Sequence, residues 1–211
     1  MYSEDSKLKK IIKTIESDDY KIDVFPHVYI PAEDTYMIID NLNIKPGSNI
    51  LDLGSGTGIL SVYAYKFAKR LVSIDLSPYA VENTYWNLKQ NDMLRKSCII
   101  QANYTYKLPI KHNFEIILFN PPYLPKSQED TTDLWLRRTW SSDEGINAIY
   151  NTIKNNIDLF TNKTELYLLI STHTGPKHIL NFLKKYKLSV EIIDEQSFFF
   201  EKLILLKARK L

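Results

Sequence analysis

The stretch "SNILDLGSGTGIL" (residues 48–60) decides the reading of this chain. Ser48 to Leu53 read as a short buried strand, three glycines (Gly54, Gly56, Gly58) turn it, and a helix follows with Leu60, Ala64 and Phe67 along one side. Glycine at a strand-to-helix turn permits φ > 0 and lets a ligand approach the backbone. The spacing G-x-G-x-G differs from the six-residue dinucleotide fingerprint, and by itself it also suits a plain tight turn. No G-x-x-x-x-G-K-[ST] segment is present, which argues against a nucleoside triphosphate.

Working outward, "LVSID" (71–75) reads as the next strand, and Ser77 with Pro78 opens a helix carrying Val81, Tyr85 and Leu88 on one face. "CIIQA" (98–102), "FEIILF" (114–119) and "ELYLLIS" (165–171) read as further strands. "PKHILNFLKKY" (176–186) reads as a helix, and another resumes near Gly145. Strands alternating with helices predict a mostly parallel sheet covered on both faces. "LSVEIID" and "FFFEKLILLKA" leave no room for a crossover helix, so they are expected to pair antiparallel. Upstream, "DVFPHVYI" (23–30) is extended in character. In "PAEDTYMIIDNLNI" (31–44) Pro31 suits a first helical turn, Glu33 and Asp34 favour its positive end, and Ala32, Tyr36 and Ile39 share a face. Residues 1–22 are expected to form a charged helix or extension, and 23–211 the main domain.

Asp75 ends the second strand, 23 positions after Asp52. One βαβ unit beyond a glycine turn, a carboxylate there can accept both hydroxyls of an adenosine ribose. Asp52 either holds an ammonium group of the ligand or caps its strand.

Composition bounds the rest. The 211 residues suffice for one sizeable α/β domain, and 44% hydrophobic with 25% charged residues is ordinary for a soluble protein. A net charge of +2 makes no electrostatic case for a nucleic-acid partner. Cys98, the single cysteine, excludes an intrachain disulfide and a thiolate-rich metal site, and its apolar surroundings suggest a small core residue. His27, His112, His173 and His178 show no metal-ligand spacing, so no metal is expected. The first twenty residues are no signal peptide, and no apolar run nears the ~20 residues that span a bilayer. A soluble, cytoplasmic protein is expected.

"EIILFNPPYLP" (115–125) ends a core strand in an amide and two prolines. The X-Pro bond holds Asn120 extended, and Pro121 and Pro122 have fixed φ and no N–H. A rigid prong results at the carboxyl end of a parallel strand, where open α/β sheets bind ligands. It offers the Asn120 amide oxygen, the Pro121 carbonyl and the Tyr123 ring. Two neighbouring acceptors take both hydrogens of a planar NH2 while the ring packs over it. An amide or aryl NH2 is a poor nucleophile, and this grip pushes it towards tetrahedral geometry with its lone pair aimed. Against an already activated sulfonium methyl no strong base is needed, and positioning alone supplies up to ~7–11 kcal/mol in favourable systems.

In this order, "LDLGSGTG…SID…FNPPY" resembles a class I S-adenosylmethionine-dependent methyltransferase of the amino-methylating type. "HVYIPAEDTYMIIDNL" (27–42) is similar to the signature of the HemK-related branch that methylates the Gly-Gly-Gln glutamine of class-1 translation termination factors. The resemblance implies a Rossmann-like fold with a seven-stranded sheet, last strand antiparallel, and S-adenosyl-L-methionine as cofactor, with S-adenosyl-L-homocysteine as product. It implies cofactor contacts from Thr35, Asp52, Gly54, Gly56, Gly58, Asp75, Asn103 and Asn120. Thr35, Asp52 and Gly54 would lie near the methionine part, and Asn103 stands where the family usually has an Asp that meets the adenine amino group. Asn120, Pro121 and Tyr123 would be catalytic, and with Pro122 would bind the acceptor. Where the family often has a glycine pair, this chain reads "WSSDEG" (140–145), beside the expected acceptor cleft.

The prong does not distinguish glutamine from adenine, so a DNA or RNA amino-methyltransferase is the alternative. Base flipping and phosphate contacts would then be required, and Lys7, Lys9, Lys10, Lys13, Arg137, Arg138, Lys184, Lys185 and Lys187 are dispersed in sequence. A lysine methyltransferase suits Asn120 less well than a neutral amide does. Relatives of this branch often need a small zinc-binding activator that adds to the sheet edge. "CIIQA" is a plausible docking strand, or a covered internal one.

Overall fold

In the computed structural model, residues 10–17, 19–111, 113–122, 142–198 and 201–211 are described. The elements are β1 Lys13–Glu16, β2 Lys21–Val24, α1 Glu33–Asn41, β3 Ser48–Leu53, α2 Ile59–Ala64, β4 Ala68–Asp75, α3 Pro78–Gln90, β5 Ser97–Gln101 and β6 Ile116–Phe119. Then follow α4 Ser142–Asn155, β7 Glu165–Ser171, α5 Pro176–Lys185, β8 Leu188–Ser197 and β9 Lys202–Lys210. Among the described residues no helix is long and apolar enough to cross a membrane.

Seven strands form one sheet in the order β5-β4-β3-β6-β7-β9-β8, in which β9 alone runs against its neighbours. The Rossmann-like architecture and antiparallel closing pair expected from sequence are both present. Strand alternation sorts the core into two layers. Leu51, Leu53, Ile117, Phe119, Leu166 and Leu168 pack on Ile149 and Ile153 of α4 and Ile179 and Leu183 of α5. Ile50, Ile116, Leu118, Tyr167 and Leu169 face Met37 and Ile38 of α1, Ile59 and Leu60 of α2 and Leu88 of α3. Strands buried on both faces read as continuous apolar runs, which is why β6 is "IILF".

The chain passes from β3 outward to β4 and β5, then returns to β6 on the other side of β3. The strand order therefore reverses between β3 and β6, the switch point where such sheets open a crevice. Pairing of Leu53 with Phe119 places the next residues, Gly54 and Asn120, side by side at its floor. Leu53 also pairs with Ile74, so Asp75 ends the strand on the other flank.

Three sequence expectations are corrected. Lys13–Glu16 is a strand paired antiparallel with β2, where a charged helix or an extension was expected. Helix α1 starts at Glu33 with Ala32 as cap, so Pro31 precedes it, and its buried residues are Asp34, Thr35, Met37, Ile38 and Ile39. Cys98 is exposed because β5 is the sheet's edge strand.

An asparagine ladder on α3 holds β2 in place. Asn83 accepts from Phe25 N, Asn87 from Asp23 N and Asn91 from Lys21 N, while their Nδ2 groups donate to Asp23 O, Asp23 O and Lys21 O. Four helical residues rise about 6 Å and two strand residues about 6.6 Å, so side-chain amides spaced i, i+4, i+8 match a strand's backbone groups. Asn87 Nδ2 also donates to Thr57 O, which ties the ladder to the glycine loop. Beyond β2, His27 adopts φ 66° and lies against Tyr79, with ring centroids 5.0 Å apart.

Candidate active site

A cleft opens at the switch point, over the carboxyl ends of β4, β3 and β6. Its walls are the segment following β2 (His27 to Tyr29), the start of α1 with Asp34 and Thr35, and the glycine loop from Gly54 to Thr57. Asp75, Leu76, Ser77 and Ala80 close one flank, Tyr104 another, and Asn120, Pro121 and Pro122 the far end. Thr35, Gly54, Gly56, Asp75, Asn120, Pro121 and Pro122, all singled out in sequence, therefore share one cavity. Tyr123, Arg137 and Arg138 lie outside the described residues.

The glycine loop is shaped by its own chemistry. At Gly56, with φ 56°, an added Cβ would meet nothing within 4 Å, so the bare backbone faces open cleft. Its N–H donates to Asp75 Oδ2 at 2.9 Å, and Ser77 N donates to Asp75 Oδ1 at 2.8 Å. Burial raises the Asp75 carboxyl above its ordinary value, opposed by the N–H donors of Gly56, Ser77 and Leu76. A carboxylate oxygen has lone pairs left after one such bond, so Asp75 can still accept from a diol in the cleft.

Three assigned residues are not in the wall. Gly58 caps α2 at φ 80°, and a Cβ there would lie 3.0 Å from Thr84 Cα, so it serves close packing of α2 on α3. Asn103 Oδ1 accepts from both Thr105 N and Thr105 Oγ1, at 3.0 and 2.6 Å. Both lone pairs are used in that turn, which leaves none for an adenine amino group. Tyr104, the next residue, lines the cleft instead, its ring edge-on to Phe119 at 5.6 Å. Burial raises its hydroxyl well above the usual phenol range. An aromatic residue just past the third parallel strand was the sequence signal for it.

Asp52 is fully buried beneath the cleft rather than in it. Ser61 Oγ donates to its Oδ2 at 2.6 Å and Oδ1 has no partner among the described residues. Burial pushes its carboxyl up to about 7, opposed by the Ser61 hydroxyl and aided by the charge of Asp75. A raised folded value means its stabilising contribution is complete below about pH 4, the range of a free aspartate, and is lost as pH rises to about 7. Asp52→Asn removes that loss. In urea unfolding, the variant's stability relative to the parent is expected to rise from pH 4 to 7 and level off above; a flat difference would contradict the assignment.

Asn120 carries the least ordinary geometry. Its Nδ2 donates to Asp34 Oδ2 at 2.9 Å, and its Oδ1 is buried without a partner among the described residues. An unsatisfied buried acceptor costs about 1–3 kcal/mol, so one kept at a cleft is an acceptor awaiting a donor. Asp34 itself is 2% exposed and also accepts from Thr35 N, Thr35 Oγ1 and Tyr29 Oη. In sequence it read only as an acid favouring a helix start.

Known proteins resemble this chain in sequence and in fold. The family model described as methyltransferase small domain matches residues 23–138. A Methanocaldococcus jannaschii relative, provisionally named a protein N5-glutamine methyltransferase, is 33% identical over 93% of this chain and 99% of its own. Human methyltransferase HEMK2 is 22% identical over 76% of this chain and 79% of its own. Among solved structures, Mtq2 of E. cuniculi, in complex with Trm112 and described as responsible for methylating the termination factor eRF1, superposes with a TM-score of 0.62. It is 24% identical and covers 88% of this chain and 99% of its own, a likeness of fold.

Proposed function

The chain belongs to the methyltransferase small-domain family, in its HemK-related branch, and we propose that it methylates the side-chain amide nitrogen of a glutamine in a translation termination factor, using S-adenosylmethionine. The observation that carries this reading is the orphaned Asn120 Oδ1, fixed at the cleft floor beside Gly54.

The residues present fit the cofactor. Gly56 leaves room for close approach, Asp75 offers carboxylate oxygens to a ribose diol, and Leu76, Ala80 and Tyr104 give apolar cover for a purine. Bound there, the cofactor supplies a methyl carbon activated by a positive sulfur. Thr35 and Gly54 border the end of the cleft next to Asn120. Asn120 Oδ1 and the Pro121 carbonyl hold the two amide hydrogens of the acceptor glutamine. With the cofactor bound, methyl transfer to the glutamine nitrogen would leave the C–S electron pair on sulfur, and the part of Asn120 and Pro121 is to hold that nitrogen in line. The surplus proton on nitrogen passes to water.

The edge strand β5 is the proposed docking place of a small zinc-binding activator. Its Cys98 is exposed and Ile99 and Ile100 are partly so, and the E. cuniculi protein of similar fold was solved in complex with a second protein, Trm112.

Labelled S-adenosylmethionine offered to a termination factor, to its Gln→Ala variant and to DNA tests the reading, with and without the activator. Label is expected in the first alone. Label in DNA alone would overturn the assignment in favour of adenine methylation.

A further inference from the structure

Resting on that reading, we propose that Asp34 is a positioning residue for the reaction, which sets the orientation of the Asn120 amide and raises the basicity of its oxygen. An asparagine side chain has two nearly isosteric ends, and only the oxygen can grip an NH2. Nothing in the backbone of "FNPPY" chooses between them. Turned over, Asn120 would present hydrogens to the hydrogens of the substrate, and the grip would become a repulsion.

Asp34 removes that degeneracy. Its Oδ2 accepts from Asn120 Nδ2 at 2.9 Å, and its Oδ1 is held by Thr35 N at 2.6 Å and Thr35 Oγ1 at 3.1 Å. Tyr29 Oη donates to Oδ2 as well, at 3.2 Å. The carboxylate is thus anchored from α1 and from the segment after β2, and it has only acceptors to offer Asn120. The amide nitrogen must face it, so Oδ1 is turned to the opposite side, at the cleft wall, where it is buried with no partner among the described residues.

A second effect follows from charge. A buried anion on the nitrogen of an amide draws its hydrogens and pushes electron density to the oxygen, and such linked hydrogen bonds strengthen one another. As the glutamine nitrogen gains its methyl it becomes positive until its proton leaves. A more basic Asn120 oxygen, with Asp34 behind it, stabilises that charge as it develops, in a buried setting where charge interactions are strong. The arrangement acts on the transition state more than on substrate binding, so its loss is expected in kcat rather than in KM.

Asp34→Asn tests this directly. Asn at 34 can keep its oxygen towards Thr35, so its nitrogen then faces Asn120 and forces that amide to turn over. The expected result is a fall in kcat of about 10²-fold, with S-adenosylhomocysteine affinity and urea midpoint close to the parent. Adding Asn120→Asp gives the new donor a carboxylate oxygen and keeps a second oxygen for the acceptor's hydrogens, and the double variant is expected to recover at least about tenfold of the loss. Side-chain amide NMR gives a readout independent of turnover. In the parent, one Asn120 hydrogen is expected to be protected from exchange and shifted by the carboxylate, and Asp34→Asn is expected to abolish that signature. Unchanged kcat in Asp34→Asn, or no recovery in a folded double variant, would overturn the proposal. If the parent methylates no glutamine, the proposed function fails, while the NMR signature still decides the orientation.

Discussion

Replacing Asn120 by Ala is expected to lower kcat by about 10³-fold while S-adenosylhomocysteine affinity stays within about twofold. The substitution removes a buried acceptor of the cleft wall that has no partner among the described residues. With it would go half of the proposed grip on the acceptor nitrogen, leaving the Pro121 carbonyl alone. A single preorganised polar group at a reacting centre is worth about 10²–10³ in kcat, and loss of aim adds to that. The same change takes one of two donors from Asp34 Oδ2, which keeps Tyr29 Oη, and removes the orphaned acceptor, so the urea midpoint is expected to stay close to the parent's. Single-turnover kinetics separates chemistry from folding, because a partly unfolded population would lose amplitude and keep its rate. An unchanged rate at full cofactor occupancy would remove Asn120 from the chemistry.

Asp75→Ala is expected to act on the opposite side of the reaction, raising the S-adenosylhomocysteine Kd about 10²-fold. The carboxylate has two tasks. It holds the glycine loop and the start of α3 through Gly56 N and Ser77 N, and it faces the cleft where a ribose would lie. Hydrogen bonds to a charged group are worth about 1.5–3 kcal/mol each, and 1.4 kcal/mol is a factor of ten in affinity. Isothermal titration with S-adenosylhomocysteine measures the loss, and 2′- and 3′-deoxy analogues divide it. If Asp75 binds the diol, the parent discriminates against the deoxy analogues and the Ala variant does not. Equal discrimination by both proteins would leave Asp75 only its role in the loop.

Much of this site was legible from residue types alone, for a physical reason. The glycine turn, the acid one βαβ unit later and the Asn-Pro-Pro corner are each local features at strand ends, and a parallel sheet brings strand ends together. Once β3 is known to lie between β4 and β6, Gly54, Asp75 and Asn120 must meet. What the sequence hid depends on pairs distant along the chain. Asp34 lies 86 residues from the amide it orients. Lys13–Glu16 became a strand because Lys21–Val24 lay opposite, itself held by the asparagines of α3, whereas its own four residues carry no strand pattern. Cys98 stands in an apolar run yet is exposed, since apolarity does not tell an edge strand from an inner one. Gly58 and Asn103 were assigned to the ligand by motif position. Their actual neighbours, Thr84 and Thr105, show that a motif residue can be fixed by packing or by a turn.

The claim on which all of this depends is that a rigid proline-locked corner grips a neutral amide nitrogen by its two hydrogens. Fragmentation mass spectrometry of a termination factor treated with the enzyme and S-adenosylmethionine tests it most directly. One methyl group is expected, on the side-chain amide nitrogen of the Gly-Gly-Gln glutamine. A methyl on a lysine, on a carboxylate or on the backbone would contradict it.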